Sequence, residues 1–201
     1  MCAHGAGNND RDNDSDKDKE TIMGMFQGLG GARTLGQGNF FPPGIFICEI
    51  KEVRTQASSN PQTRGRPQVF VDFNVHGVQM SDADHAWIKE HNGPHPLQAG
   101  GTATYFIDVG DPEFGLNKVR TFLEQVFPDQ PDASDDAKVE AFAEKAFGPN
   151  SPCVGRYVKV YSSVTVTKRN KKHICVQKFE YLDEDALQAL VDQAQVDKAK
   201  G

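Results

Sequence analysis

Apolar and polar residues alternate with a period of two along "IFICEIKEVRTQ" (45–56), "RPQVFVDFNV" (66–75), "GTATYFIDV" (101–109), "GRYVKVYSSVTVTK" (155–168) and the segment 172–182. Such alternation sends successive side chains to opposite faces of a sheet, so each stretch predicts a β-strand. A polar loop with Pro61 and Gly65 separates the first two and the basic "RNK" turns the last two, so both pairs predict hairpins. Between the third and fourth strands the period changes. In "EFGLNKVRTFLEQVF" (113–127), Phe114, Leu116, Val119, Phe122, Leu123 and Val126 recur near helical spacing and predict an amphipathic helix. A second helix is predicted over 135–148, with Ser134 as N-cap and Gly148 as C-cap, and a short one around Trp87. A C-terminal helix follows Asp183 as cap, with an apolar stripe through Leu187, Leu190, Val191 and Ala194.

Strand, strand, strand, helix, strand, strand is the order of an OB-fold, a five-stranded Greek-key β-barrel with its helix between strands three and four. The chain is therefore expected to be mainly β, with the barrel over residues 44–182 and the C-terminal helix over 183–201. Residues 1–22 are Asp-rich and almost free of apolar side chains, which predicts a disordered acidic arm. Residues 23–43 form a glycine-rich connector that ends at Pro42 and Pro43.

In a small barrel alternate residues fill the interior and the others point outward. The interior sets are Val69, Val71, Phe73 and Val75, then Ala103, Tyr105, Ile107 and Val109, then Val158, Val160, Val164 and Val166, and lastly Ile174 and Val176. This parity leaves Phe70, His76, Thr102, Thr104, Phe106, Tyr157, Lys159, Tyr161 and His173 outside. Phe179 joins them unless a bulge shifts the register after Gln177.

Charge sharpens the pattern. The net charge of -6 argues against a nucleic-acid partner until its distribution is read: residues 153–181 hold seven Lys and Arg against Glu180 alone, and residues 77–152 hold five against 13 acidic residues. A local basic field decides what that segment attracts. An OB-fold binds oligonucleotides with its second and third strands and with the loops joining strands one to two and four to five. Those loops carry Arg54, Arg64 and Arg66 on one side and Lys168, Arg169, Lys171 and Lys172 on the other. Bases of a single strand stack on exposed aromatics while cations follow the phosphates. Phe70, Phe106, Tyr157, Tyr161 and Phe179, with Lys159 and His173, are thus the expected contact set for single-stranded nucleic acid. The competing structural reading is that aromatics favour strands because they fit a pleated surface, and that these pack beneath the C-terminal helix or the 77–100 insertion. A second function class also stays open: a structural β-barrel or virion component using the aromatic face as a subunit interface.

Other chemistry finds little support. Cys2, Cys48, Cys153 and Cys175 are scattered and read as reduced, mostly buried thiols. His76, Asp82, Asp84, His85, His91 and His95 are types that ligate metals, but their spacing matches no established site and a hydrated loop is the default. "GLGGARTLG" precedes the first strand instead of joining strand to helix, so it is not a nucleotide-binding loop, and no nucleophile elbow occurs. Neither an enzyme nor a cofactor is expected. The N-terminus lacks a basic and an apolar signal region and no apolar run is long enough to span a bilayer, so a cytoplasmic protein is expected.

"GNFFPPGIFICEIKEV", "GRPQVFVDFNV", "GTATYFIDV" with "GLNKVRTFLEQVF", and "SPCVGRYVKVYSSVTVTKRNKKHICVQKFEY" together resemble the OB-fold single-stranded DNA-binding proteins of tailed bacteriophages, over residues 38–182. The resemblance implies action in phage DNA replication or recombination in the host cytoplasm, with single-stranded DNA as partner. It also implies replication or recombination proteins as further partners and is compatible with a homo-oligomer. It aligns Phe106 with an aromatic common on the family's third strand, and residues 156–179 with its basic last hairpin. The chain departs from the family in ending "DKAKG" where an acidic tail is common, which leaves the acidic N-terminal arm as the candidate recruiting segment.

Overall fold

The computed structural model of the chain describes residues 41–90, 97–166 and 170–200. The acidic arm, most of the connector, His91, His95, Lys168 and Arg169 lie outside the described residues. The strands are β1 (Gly44–Ala57), β2 (Pro67–Gln79), β3 (Thr102–Asp108), β4 (Tyr157–Val166) and β5 (Lys172–Leu182). The helices are α1 (Asp82–Glu90), α2 (Gly115–Val126), α3 (Val139–Ala146) and α4 (Glu184–Lys200). The strands form one antiparallel sheet in the order β3-β2-β1-β4-β5.

This sheet is open. Where alternation predicts a closed barrel, β3 and β5 are the two edges, and no backbone ladder joins them among the described residues. The helix α2 occupies the gap. Phe122 of α2 stacks 6.0 Å from Tyr105 of β3 and lies edge-on 5.2 Å from Phe179 of β5, while Tyr105 and Phe179 are 5.0 Å apart. The Gln125 side chain accepts the Phe179 N–H at 2.8 Å, satisfying an edge-strand donor that a closing strand would otherwise take. Aromatic burial and one side-chain hydrogen bond thus replace the seam of a barrel.

Local chemistry sets α2 in that gap. Asp111 Oδ1 accepts the N–H groups of Glu113 and Phe114, both at 2.9 Å, which turns the chain out of β3. Gly115 then opens the helix against the strand: a Cβ there would lie 2.3 Å from the Val109 carbonyl oxygen, so only glycine allows the approach. At the other end, Arg156 Nε donates to the Val126 carbonyl at 3.0 Å and its guanidinium lies between the Phe127 and Tyr181 rings, 4.4 and 4.0 Å from their centroids. Asp129 accepts from the same group at 2.5 Å. Burial alone would raise the Asp129 carboxyl, but the Arg156 hydrogen bond and charge outweigh it and hold that carboxyl below the usual range.

Inward parity holds through β2 and β3, where Val69, Val71, Phe73, Val75, Ala103, Tyr105, Ile107 and Val109 are all buried. It breaks in the last hairpin. Tyr161 pairs with Lys178 but Ser162 pairs with Val176, leaving Gln177 as the extra residue of a bulge. One inserted residue turns every following side chain to the other face. Phe179 is therefore buried at the centre of the core, 3% exposed, and not outward. On β4 the valine face ends early: Ser162 is buried, Val164 is half-buried and Val166 is 55% exposed, so neither of these valines belongs to the core. Further register shifts at His76 on β2 and Lys51 on β1 add the local bending by which the sheet coils around its core.

The expected caps meet a mixed outcome. Asp183 Oδ1 accepts the Ala186 N–H at 2.8 Å and caps α4. Ser134 does not cap α3; it ends a short 3-10 turn over Pro131–Ala133 and donates to the Pro131 carbonyl, while α3 starts four residues later from Lys138 without a side-chain cap. The helix around Trp87 is α1, opened by Ser81, whose hydroxyl accepts the Asp84 N–H while the Asp84 carboxylate accepts the Ser81 N–H and hydroxyl, a capping box. Leu187 and Leu190 are half-buried, and the side chains of Val191 and Ala194 fall outside the description. Cys48, Cys153 and Cys175 are free and buried, and burial pushes the Cys48 thiol up to about 12 and the Cys153 thiol to about 11. No described helix is long and apolar enough to cross a membrane.

Candidate nucleic-acid interface

The outward face of the sheet gathers most of the predicted contact residues into two clusters. Cross-strand register makes the first: Arg54 on β1 opposes Phe70 on β2, and Phe70 opposes Phe106 on β3. The two rings are 5.1 Å apart, and the Arg54 guanidinium sits 5.5 Å from the Phe70 centroid. Arg54 also donates from Nε and Nη2 to Asp72 Oδ2, at 3.0 and 2.6 Å. Thr104 donates to the other Asp72 oxygen at 2.5 Å. A shallow groove of about 410 Å³ is lined by Arg54, Phe70, Thr102, Ala103 and Thr104. Arg66, at the end of the first hairpin loop, stands 3.8 Å from Asp108, the next outward residue on β3 after Phe106. Arg64 is exposed in the same loop.

The second cluster lies on β4. Tyr157, Lys159 and Tyr161 are all half-buried and point outward together. The Tyr157 ring is 5.5 Å from that of His76, whose Nε2 is 3.3 Å from Glu49. Tyr161 donates to Glu180 at 2.9 Å, and Lys178 reaches the same carboxylate at 3.0 Å while its ammonium lies 5.4 Å from the Tyr161 centroid. The Lys178 hydrogen bond, then the Tyr161 one, holds the Glu180 carboxyl below the usual range. Burial and the same bond raise the Tyr161 hydroxyl. A second groove of about 410 Å³ opens beside Tyr161, bordered by Ile45, Met80 and Gln177. The ring and hydrogen-bond partners of Tyr157 and Tyr161 come from strands, while Met80, Ser81 and Asp84 of the 77–100 segment border the groove beside Tyr161.

Lys159 opposes Ile47 on one side and Glu180 on the other, and makes no ion pair among the described residues. Lys171 and Lys172 are exposed at the start of β5, and His173 follows, half-buried, opposite Thr165. Lys168 and Arg169 stay outside the described residues, and Phe179 belongs to the core. Of the residues weighed as metal ligands, His76 pairs with Glu49 and Asp84 caps α1, so both have other roles.

Sequence reasoning missed the carboxylates. Glu49, Glu52, Asp72, Asp108 and Glu180 share the outward face; three of them hold one of its cations and Glu49 lies beside His76. Asp72 was within reach, because "VFVDFNV" places it on the same parity as Phe70. Glu180 and Lys178 were not, because their side depends on the Gln177 bulge. Carboxylates thus offset Arg54, Arg66 and Lys178 on this face, and Lys171 and Lys172 are exposed at the start of β5. Comparison of the chain with family models, curated proteins and solved structures returns no match.

Proposed function

We propose that this chain binds single-stranded DNA with little dependence on sequence, in the replication or recombination of a bacteriophage, through an OB-fold whose β3–β5 seam is filled by α2. The observation that carries the reading is the pair of aromatic clusters on one sheet face, Phe70 with Phe106 and Tyr157 with Tyr161, each beside cations. Stacking on such rings tolerates any base, and each stacked base contributes roughly 1 to 3 kcal/mol. The strand order and the helix between β3 and β4 support the fold assignment, since an OB-fold is a partly open Greek-key barrel. Lys159, Lys171, Lys172 and Arg64 are the phosphate contacts; Arg54 and Arg66 are held by carboxylates and orient, more than attract, the strand.

The test is a fluorescence titration with oligothymidine at several salt concentrations. Binding is expected at low salt, with a log-log salt slope of about -0.7 per phosphate neutralised. No binding to oligothymidine or to mixed-sequence single strands overturns the reading. The internal pairing of charge on the face favours a second reading, a subunit interface between protein chains, because paired cations need no phosphates. Under that reading the same face associates without DNA, and sedimentation shows it.

A further inference from the structure

We propose that the groove beside Phe70 is a subsite that prefers guanine among the bases of a bound single strand, with Arg54 as the reading residue; the inference rests on the single-strand reading above. Arg54 spends one edge of its guanidinium on the sheet, since Nε and Nη2 both donate to Asp72 Oδ2. Asp72 is in turn fixed from the other side by Thr104. The Nη1/Nη2 end of the guanidinium is left over, on a side chain that is 45% exposed. That end presents two nearly parallel N–H donors in a fixed plane, already held in place before any ligand arrives.

Two parallel donors match a base edge with two adjacent acceptors. Guanine offers O6 and N7. Unpaired cytosine offers O2 and N3, whereas adenine and thymine place a donor beside each acceptor on their open edges. Between the two matching bases, the Phe70–Phe106 ring pair favours the larger purine surface. The Thr104 hydroxyl has committed its proton to Asp72, so its oxygen faces the groove as an acceptor only, suited to a base N–H. Asp72 and its cross-strand neighbour Glu52 disfavour phosphate at this spot, which turns the base and not the backbone toward the sheet.

The test uses the full chain and short oligothymidines that carry one guanine, adenine, cytosine or N7-lacking deazaguanine, moved along the strand. One guanine is expected to tighten binding about tenfold over adenine at its best position, within the discrimination of a bidentate contact. Cytosine falls between them, and deazaguanine, which stacks as guanine does but lacks one acceptor, loses most of the gain. Arg54→Lys keeps the charge but not the two parallel donors, and is expected to lose the guanine preference, read as the ratio of guanine to adenine affinity within the variant itself. Equal affinity for guanine and adenine, or a preference that survives either deazaguanine or Arg54→Lys, overturns the subsite while the single-strand reading stands. Absence of binding to plain oligothymidine overturns both. The deazaguanine comparison is made on the unsubstituted protein, so it decides the matter even where Arg54→Lys folds poorly.

Discussion

The two faces of the sheet use the same residue types for different ends. On the inner face Phe73, Tyr105, Phe122 and Phe179 meet one another at 5.0 to 6.1 Å and have no charged group among these contacts. On the outer face Phe70, Tyr157 and Tyr161 each lie beside a basic side chain, Arg54, His76 and Lys178, which a carboxylate holds in turn. An aromatic surrounded by aromatics is dehydrated on every side and stabilises the fold by area and edge-to-face geometry. An aromatic with one open face and a neighbouring cation keeps a π-surface for a ligand. What separates Phe179 from Phe106 is therefore not composition but the strand parity that one bulge resets.

Phe179→Ala should show the largest effect, a loss of about 3 to 5 kcal/mol in a urea melt, with affinity per folded molecule unchanged. A small loss would mean that the α2 plug carries little of the fold. Next, changing Tyr157 and Tyr161 together to Ala should weaken oligothymidine binding by about 2 to 4 kcal/mol while shifting the melt far less than Phe179→Ala does. If the double variant instead melts like Phe179→Ala and binds normally once folded, both faces serve packing. Gln125→Leu removes the acceptor from the Phe179 N–H and is expected to cost about 1 to 3 kcal/mol. Amide exchange at Phe179 should accelerate beyond that at other β5 amides; uniform exchange would contradict the plugged seam.

Smaller effects sharpen the outer face. Lys159→Ala should flatten the log-log salt slope of binding by about 0.7, one phosphate's worth, and leave stability within about 0.5 kcal/mol. An unchanged slope removes Lys159 from the phosphate contacts. The weakest effect concerns acid. Because Lys178 and Tyr161 hold the Glu180 carboxyl low, its contribution is present above the unfolded glutamate value of about 4.3 and is lost as pH falls through the lower folded value. The pair is partly exposed, so water screens it and the shift in urea midpoint is small. Glu180→Gln should flatten that limb of the pH curve, and an identical limb in parent and variant would remove Glu180 as its source.

The alternation in β2 and β3 was legible because both run unbroken between one buried and one open face over Val69–Val75 and Ala103–Val109, so the inward assignments there hold. The α2 stripe was legible for the same reason at helical period, with Val119, Phe122, Leu123 and Val126 buried. Phe70, Phe106, Tyr157, Lys159 and Tyr161 follow from those parities and stand outward as expected. Ser134 misled because a serine before an apolar run also fits the end of a 3-10 turn, and the local sequence does not separate the two.

By itself the chain of residues determined the element types, the uneven charge and which side chains share a face along any unbroken strand, since these depend only on neighbours two to four positions away. Tertiary structure alone decided the rest. The Gln177 bulge carries Phe179 into the core because the space between β3 and β5 must be filled once those edges do not pair. The carboxylates beside Arg54 and Arg66 become partners only when register brings distant strands side by side. Pairing across a sheet joins residues far apart in sequence, and no local pattern records which of them will meet.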